Sequence, residues 1–154
     1  MDDNVKISFL KDEYLLLQNF YENFDQRLLT IKGWSATVGI AAIGVGFYQS
    51  HYLWLFAAGA SLAFWILEAI WKSFQSMHAY RISELEEAFR TEQFEKIKPL
   101  QIYTSWFHAQ KKYGLGILSH FLQLIVSFPH AITFWIGIVL FILQSVGVQI
   151  VQKP

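Results

Sequence analysis

The sequence predicts an all-α membrane protein, and three observations carry that prediction. Residues 31–48 and 52–71 are each almost wholly apolar and long enough to cross a bilayer, which takes about 20 residues at ~1.5 Å rise per residue. The break between them, Gln49-Ser50-His51, leaves room only for a tight turn, so the two spans form a helical hairpin. On either side of the hairpin apolar residues recur at intervals of three and four, the period of a helix laid along another surface. Of the 154 residues, 54% are hydrophobic and 16% charged, against about 25% charged in soluble domains.

The first element is an amphipathic helix. Its apolar positions are Ile7, Leu10, Tyr14, Leu17, Tyr21, Phe24, Leu28 and Ile31, a heptad seam without a fault. Leu10, Tyr14, Leu17, Tyr21 and Phe24 are therefore the expected interaction residues of a helical stalk. The seam is expected to pack within the same molecule, with an intermolecular coiled coil as the alternative. It leads into the first span, where small residues gather. Ser35-xxx-Gly39 and Ala42-xxx-Gly46 have the spacing that lets membrane helices approach closely, and Gly59-xxx-Ala63 in the second span is the expected matching surface.

The cations set an expected orientation. Lys6, Lys11, Arg27 and Lys32 precede the hairpin and Lys72, Arg81, Arg90, Lys96, Lys98, Lys111 and Lys112 follow it, while its turn has none. The positive-inside rule then puts the N-terminus and residues 73–112 in the cytoplasm. Glu68, one helical turn before Lys72, is the sole acid in the spans. The i, i+4 spacing predicts a Glu68–Lys72 pair, and an ionisable group in a span is a candidate for gating.

Beyond Lys72 the helical pattern continues through Phe74, His78, Ile82, Leu85 and Phe89, and Pro99 is expected to stop it after Lys98. Residues 1–98 thus read as one unit of stalk helix, hairpin and returning helix. Residues 99–154 form a second part. Within it, Tyr103, Trp106, Phe107, Lys111 and Lys112 mix aromatics with cations as interfacial helices do. Segment 115–128 is too short to span easily and reads as interfacial or re-entrant, with Ser119, His120, Gln123 and Ser127 on one helical face. That stripe is either the wet side of an interfacial helix or one strip of a pore wall. After Pro129, residues 132–151 are the third span.

The functions excluded are as telling. There is no Cys and the net charge is zero, so thiol chemistry and a nucleic-acid groove are not expected. The polar first thirty residues lack the apolar core of a signal peptide. The five histidines show no metal-ligand spacing, and no carboxylate follows Glu95 to serve His120 or His130. With no nucleophile motif and no visible acid–base pair, an enzyme, a metal and a cofactor are not expected.

The residues EYLLLQNFYENFDQRLLTIKGWSATVGIAAIGVGF (13–47) and FWILEAIWKSFQ (64–75) resemble small bacterial multi-pass membrane proteins. Over residues 7–98 the layout resembles SLATT-type two-transmembrane proteins, a group associated with bacterial conflict and antiphage systems. The third span has no counterpart in that layout. The resemblance implies a membrane-disrupting effector of the bacterial inner membrane. A single chain has too few helices to enclose a channel, so the expected partners are the lipid bilayer and further copies of the chain. The alternative is a non-conducting scaffold or accessory subunit that docks a cytoplasmic protein through its stalk.

Overall fold

A computed structural model describes residues 2–113 and 116–150, with the side chains of Tyr113 and of residues 124–127 left out of the description. Among the described residues five α-helices follow in order: α1 Asp3–Gly46, α2 Tyr52–Thr91, α3 Ile102–Tyr113, α4 Ile117–Phe121 and α5 Leu124–Ser145. No strand occurs among the described residues. The chain divides into two units. One is Met1–Arg27 with Trp71–Gly116, and the other is Leu28–Ile70 with Ile117–Pro154. Both α1 and α2 contribute residues to each unit, whereas the sequence suggested a division at residue 98.

In the first unit α1 and α2 run antiparallel, because rising positions on α1 meet falling positions on α2. Tyr14 donates to Glu86, Arg81 to Glu13, and Gln75 to Asp25. The seam supplies the core: Leu10 and Leu17 bury against Ile82 and Leu85, with Tyr14, Tyr21, Phe89, Phe94, Ile97 and Ile102 around them. Phe24 meets Trp71 and His78. The expected stalk residues are therefore occupied within the chain. Contrary to expectation, α2 ends at Thr91 rather than Lys98. Glu92 adopts φ 55° and a short 3₁₀ turn covers Phe94–Lys96. The physical reason lies in Phe94 and Ile97, which the turn brings back onto the core and a straight helix would carry past it.

Beneath that core Glu13 and Arg81 form a buried ion pair, with side chains 0% and 6% exposed. Arg81 Nε and Nη2 donate to the two carboxylate oxygens at 2.9 and 3.3 Å. Arg81 Nη2 also donates to the Lys98 carbonyl at 2.8 Å, and the Leu100 N–H donates to Glu13 Oε2 at 2.7 Å. The segment after the 3₁₀ turn is thus tied to both partners of the pair.

The second unit is apolar on its outside and carries polar side chains inside it, set among Trp54 and small apolar residues. Trp34, Ile40, Phe56 and Trp135 are about 60% or more exposed, while Ser35, Ser61, Glu68, His130 and Thr133 are buried. Apolar surface on that scale is what lipid covers. Among the described residues three helices, α1, α2 and α5, are long and apolar enough to cross a membrane. At ~1.5 Å per residue the 22 residues of α5 extend about 33 Å, the thickness of a hydrocarbon core.

The third span differs from expectation. Pro129 lies inside α5, which starts at Leu124 and ends at Ser145 rather than occupying 132–151. Pro129 stands six residues into the helix and removes a single backbone donor near its start, a loss membrane helices tolerate. Residues 115–128 are not one segment either. α4 ends at Phe121, and Gln123 is extended (φ −67°, ψ 131°).

Candidate functional site

The polar interior of the second unit converges on one histidine. His130, 0% exposed, projects from α5. A carboxylate only accepts hydrogen bonds, which assigns a ring proton to Nε2. His130 Nε2 then donates to Glu68 Oε2 of α2 at 2.8 Å. The Ser35 hydroxyl of α1 meets Nδ1 across 2.7 Å. On its other oxygen Glu68 meets Lys32 Nζ of α1 at 3.2 Å. Ser61 of α2 donates to the His130 carbonyl at 2.7 Å. Every membrane helix contributes, and the carboxylate at the centre is 1% exposed.

Local sequence explains the convergence. Ser35 lies on the small-residue face of α1 with Gly39, Ala42 and Gly46, all buried. Gly39 adjoins Thr133, where an added Cβ would overlap the Thr133 side chain, and Gly46 adjoins the Trp54 ring. The third glycine that matters is Gly137, where a Cβ would lie 2.5 Å from the Trp54 carbonyl oxygen. Glycine at 39 and at 137 lets α5 approach α1 and α2, which brings His130 within reach of Ser35 and Glu68. Trp54 Nε1, itself buried, donates to the Ile43 carbonyl at 3.0 Å.

Several expected roles are corrected. Glu68 pairs with Lys32 and His130. Lys72 instead donates to Gln75 at 2.7 Å and lies 3.7 Å from Asp25. Side chains from two other helices occupy both oxygens of Glu68, and Lys72 turns to Gln75 and Asp25. Gly59 and Ala63 are exposed, and nothing lies within 4 Å of a Cβ at Gly59. The matching surface on α2 is Trp54, Ala57, Ala58 and Ser61. Ser119, His120 and Gln123 do not form one helical face, because the helix breaks at Leu122–Gln123. The side chain of Ser127 lies outside the described residues. His130, missed as a site residue, had one signal: a histidine next to proline in an apolar segment, which needs a polar partner somewhere in the membrane.

Ser35, His130 and Glu68 have the residue types of a hydrolase triad. Two features oppose that chemistry. The serine is 1% exposed, and it sits mid-helix, where backbone amides are already used and none is left to form an oxyanion hole.

No family model, no curated protein and no solved structure matches this chain.

The arrangement can do two things. It pins α1, α2 and α5 together through one carboxylate, and it holds charge inside an apolar layer at the cost of exact pairing. Among the described residues no group of His, Asp and Glu is arranged to hold a metal ion.

Proposed function

We propose that the chain is an integral protein of the bacterial inner membrane that, as an oligomer, gates a leak across it, with the Lys32–Glu68–His130–Ser35 cluster as the latch of the closed form. The observation that carries this reading is the carboxylate of Glu68, 1% exposed among apolar helices and bonded to two of them besides its own. Burying such a group costs several kcal/mol even when paired. Apolar residues would hold three helices together without that cost, so retention of the cluster favours a role in switching. Releasing the latch frees α5 from α1 and α2 and lets polar groups that now face inward line a passage between copies. The unit containing Glu13 and Arg81 is cytoplasmic in this reading and receives the signal. The resemblance to membrane-disrupting effectors adds antiphage defence as the setting. The role is non-enzymatic.

The test is membrane potential in cells, followed with a potential-sensitive dye during graded induction. Wild type is expected to depolarise cells only at high expression, and Glu68→Gln and His130→Phe at lower expression. A polarised membrane with all three proteins inserted at equal levels would overturn the reading.

A second reading, a scaffold that docks a cytoplasmic partner, has its own support. Val5, Phe9, Leu16 and Phe20 recur on the outer face of α1 at intervals of four and seven, and each is 40% or more exposed. Retention of a partner by wild type and its loss in Leu16→Asp, with potential unchanged, would favour that reading.

A further inference from the structure

Helix α3 turns an aromatic face away from the helices it packs on. Its buried side chains, among the described residues, are Ser105 and Ala109. At ~100° per residue the point opposite those two is Phe107, with Tyr103 beside it. Phe107 is 50% and Tyr103 75% exposed, and their rings stack with centres 6.4 Å apart. A helix on the surface of a unit bathed only in water carries polar residues there. We propose that this face lies in the phospholipid surface from which the spans emerge, with Tyr103 and Phe107 among the upper acyl chains and Lys111 at the phosphates. This placement rests on the spans lying in a membrane, and not on their gating a leak.

Position along the chain says what covers the face. α1 and α2 run unbroken through residues 28 and 70, where the apolar unit starts. Phe24 and Phe74 stand four residues short of it, ~6 Å along the helix axis. The headgroup layer is roughly 5–7 Å deep on each side of the hydrocarbon core, so both rings fall at its level. With Tyr103 and Trp106 of α3 they line a groove of about 460 Å³. Ring contacts tie the same level together. Trp71 meets Phe24 at 5.5 Å and Phe74 at 6.4 Å between centres, and Phe74 meets Trp106 at 6.3 Å. The Arg27 guanidinium lies 5.6 Å from the centre of the Trp71 ring. Aromatic rings gather in this way where a bilayer meets water, and α3 belongs to the girdle.

Charge agrees. α3 holds two cations and no acid, and no Asp or Glu follows Glu95 anywhere in the sequence. Tyr103, Phe107 and Lys111 recur at intervals of four, which puts a cation in line with the two rings on one face. A lysine stem lies along acyl chains while its ammonium reaches the phosphates. A soluble partner would have to displace lipid heads from that level, whereas the bilayer is already there.

The test measures depth in the full chain, reconstituted in vesicles of phosphatidylethanolamine and phosphatidylglycerol. The sequence has no Cys, so single spin labels can be introduced by Tyr103→Cys, Phe107→Cys and His108→Cys. Ile136→Cys in α5 and Asp12→Cys in α1 serve as references for lipid and for water. All five positions are exposed, so labelling leaves the core intact. Oxygen concentrates among acyl chains and a nickel chelate in water. The ratio of oxygen to nickel collisions at Tyr103 and Phe107 is expected to shift to the Ile136 value, and at His108 to fall back toward the Asp12 value. Water-like ratios at both ring positions overturn the proposal. Shielding from both reagents also overturns it, because protein then covers the face. A water-like ratio at Ile136 removes the membrane reading itself, whereas a lipid-like Ile136 with a water-like α3 fails this proposal alone.

Discussion

Each unit buries one carboxylate, and the two are neutralised in different ways. Glu13 faces the guanidinium of Arg81, two side-chain bonds and a backbone N–H, all within one helical pair and its connecting loop. Glu68 faces an imidazole and a primary amine from two other helices. A guanidinium is a planar fork that holds both oxygens of one carboxylate at once, whereas Glu68 gives one oxygen to each of two partners. The first pair is therefore a clamp between two helices, and the second is a joint that gathers three. The same residue type, equally buried, fastens one neighbour in one place and two in the other because of how the bases opposite it are placed.

The largest effect that sharpens this contrast belongs to the clamp. Arg81→Ala leaves the buried Glu13 with the Leu100 N–H but no cation and should cost about 3–5 kcal/mol of stability, read as a large fall in the melting temperature of the purified chain. Arg81→Lys should recover only part of it, because an ammonium cannot match the fork of bonds to Glu13 and to the Lys98 carbonyl. If both variants melt like wild type, the clamp is not structural.

Helix approach comes next. Gly137→Ala places a methyl against the Trp54 carbonyl and Ala58, and overpacking of that kind costs about 1–3 kcal/mol. Gly59→Ala meets open space and should be neutral or slightly stabilising, since alanine favours helix by up to about 1 kcal/mol. Equal melting of the two variants would show that α5 does not depend on the close contact at Gly137.

The smallest effect tests the polar unit by pH. Burial holds the His78 imidazole below its usual 6.5, and its Nδ1 is buried without a partner. The folded state then binds fewer protons than the unfolded chain between the lowered value and 6.5. Stability is full above about pH 6.5 and declines as pH falls through that window. His78→Phe should flatten this slope, which melting curves between pH 5 and 7.5 would detect.

These contrasts also separate what the sequence discloses from what it hides. The seam of Leu10 and Leu17, and the close-packed face of Ser35, Gly39, Ala42 and Gly46, are legible because helical periodicity is local: each residue announces its face by its spacing from the last. The partners of Glu68 are not. His130 is 62 residues away and Lys32 lies on another helix, so only tertiary packing brings them together. Local reasoning substitutes the nearest opposite charge, Lys72, and errs. Gly59-xxx-Ala63 illustrates a related weakness, since spacing identifies a face but not which way it is turned. Pro99 was a fair marker of an interruption, but the turn comes earlier, where Phe94 and Ile97 must double back.

Ser35 closes the last open side of the His130 ring: Nε2 is taken up by Glu68, and the serine hydroxyl meets Nδ1. Both ring nitrogens are thereby satisfied by side chains alone, so a polar ring can lie within the apolar layer without any path for solvent to reach it.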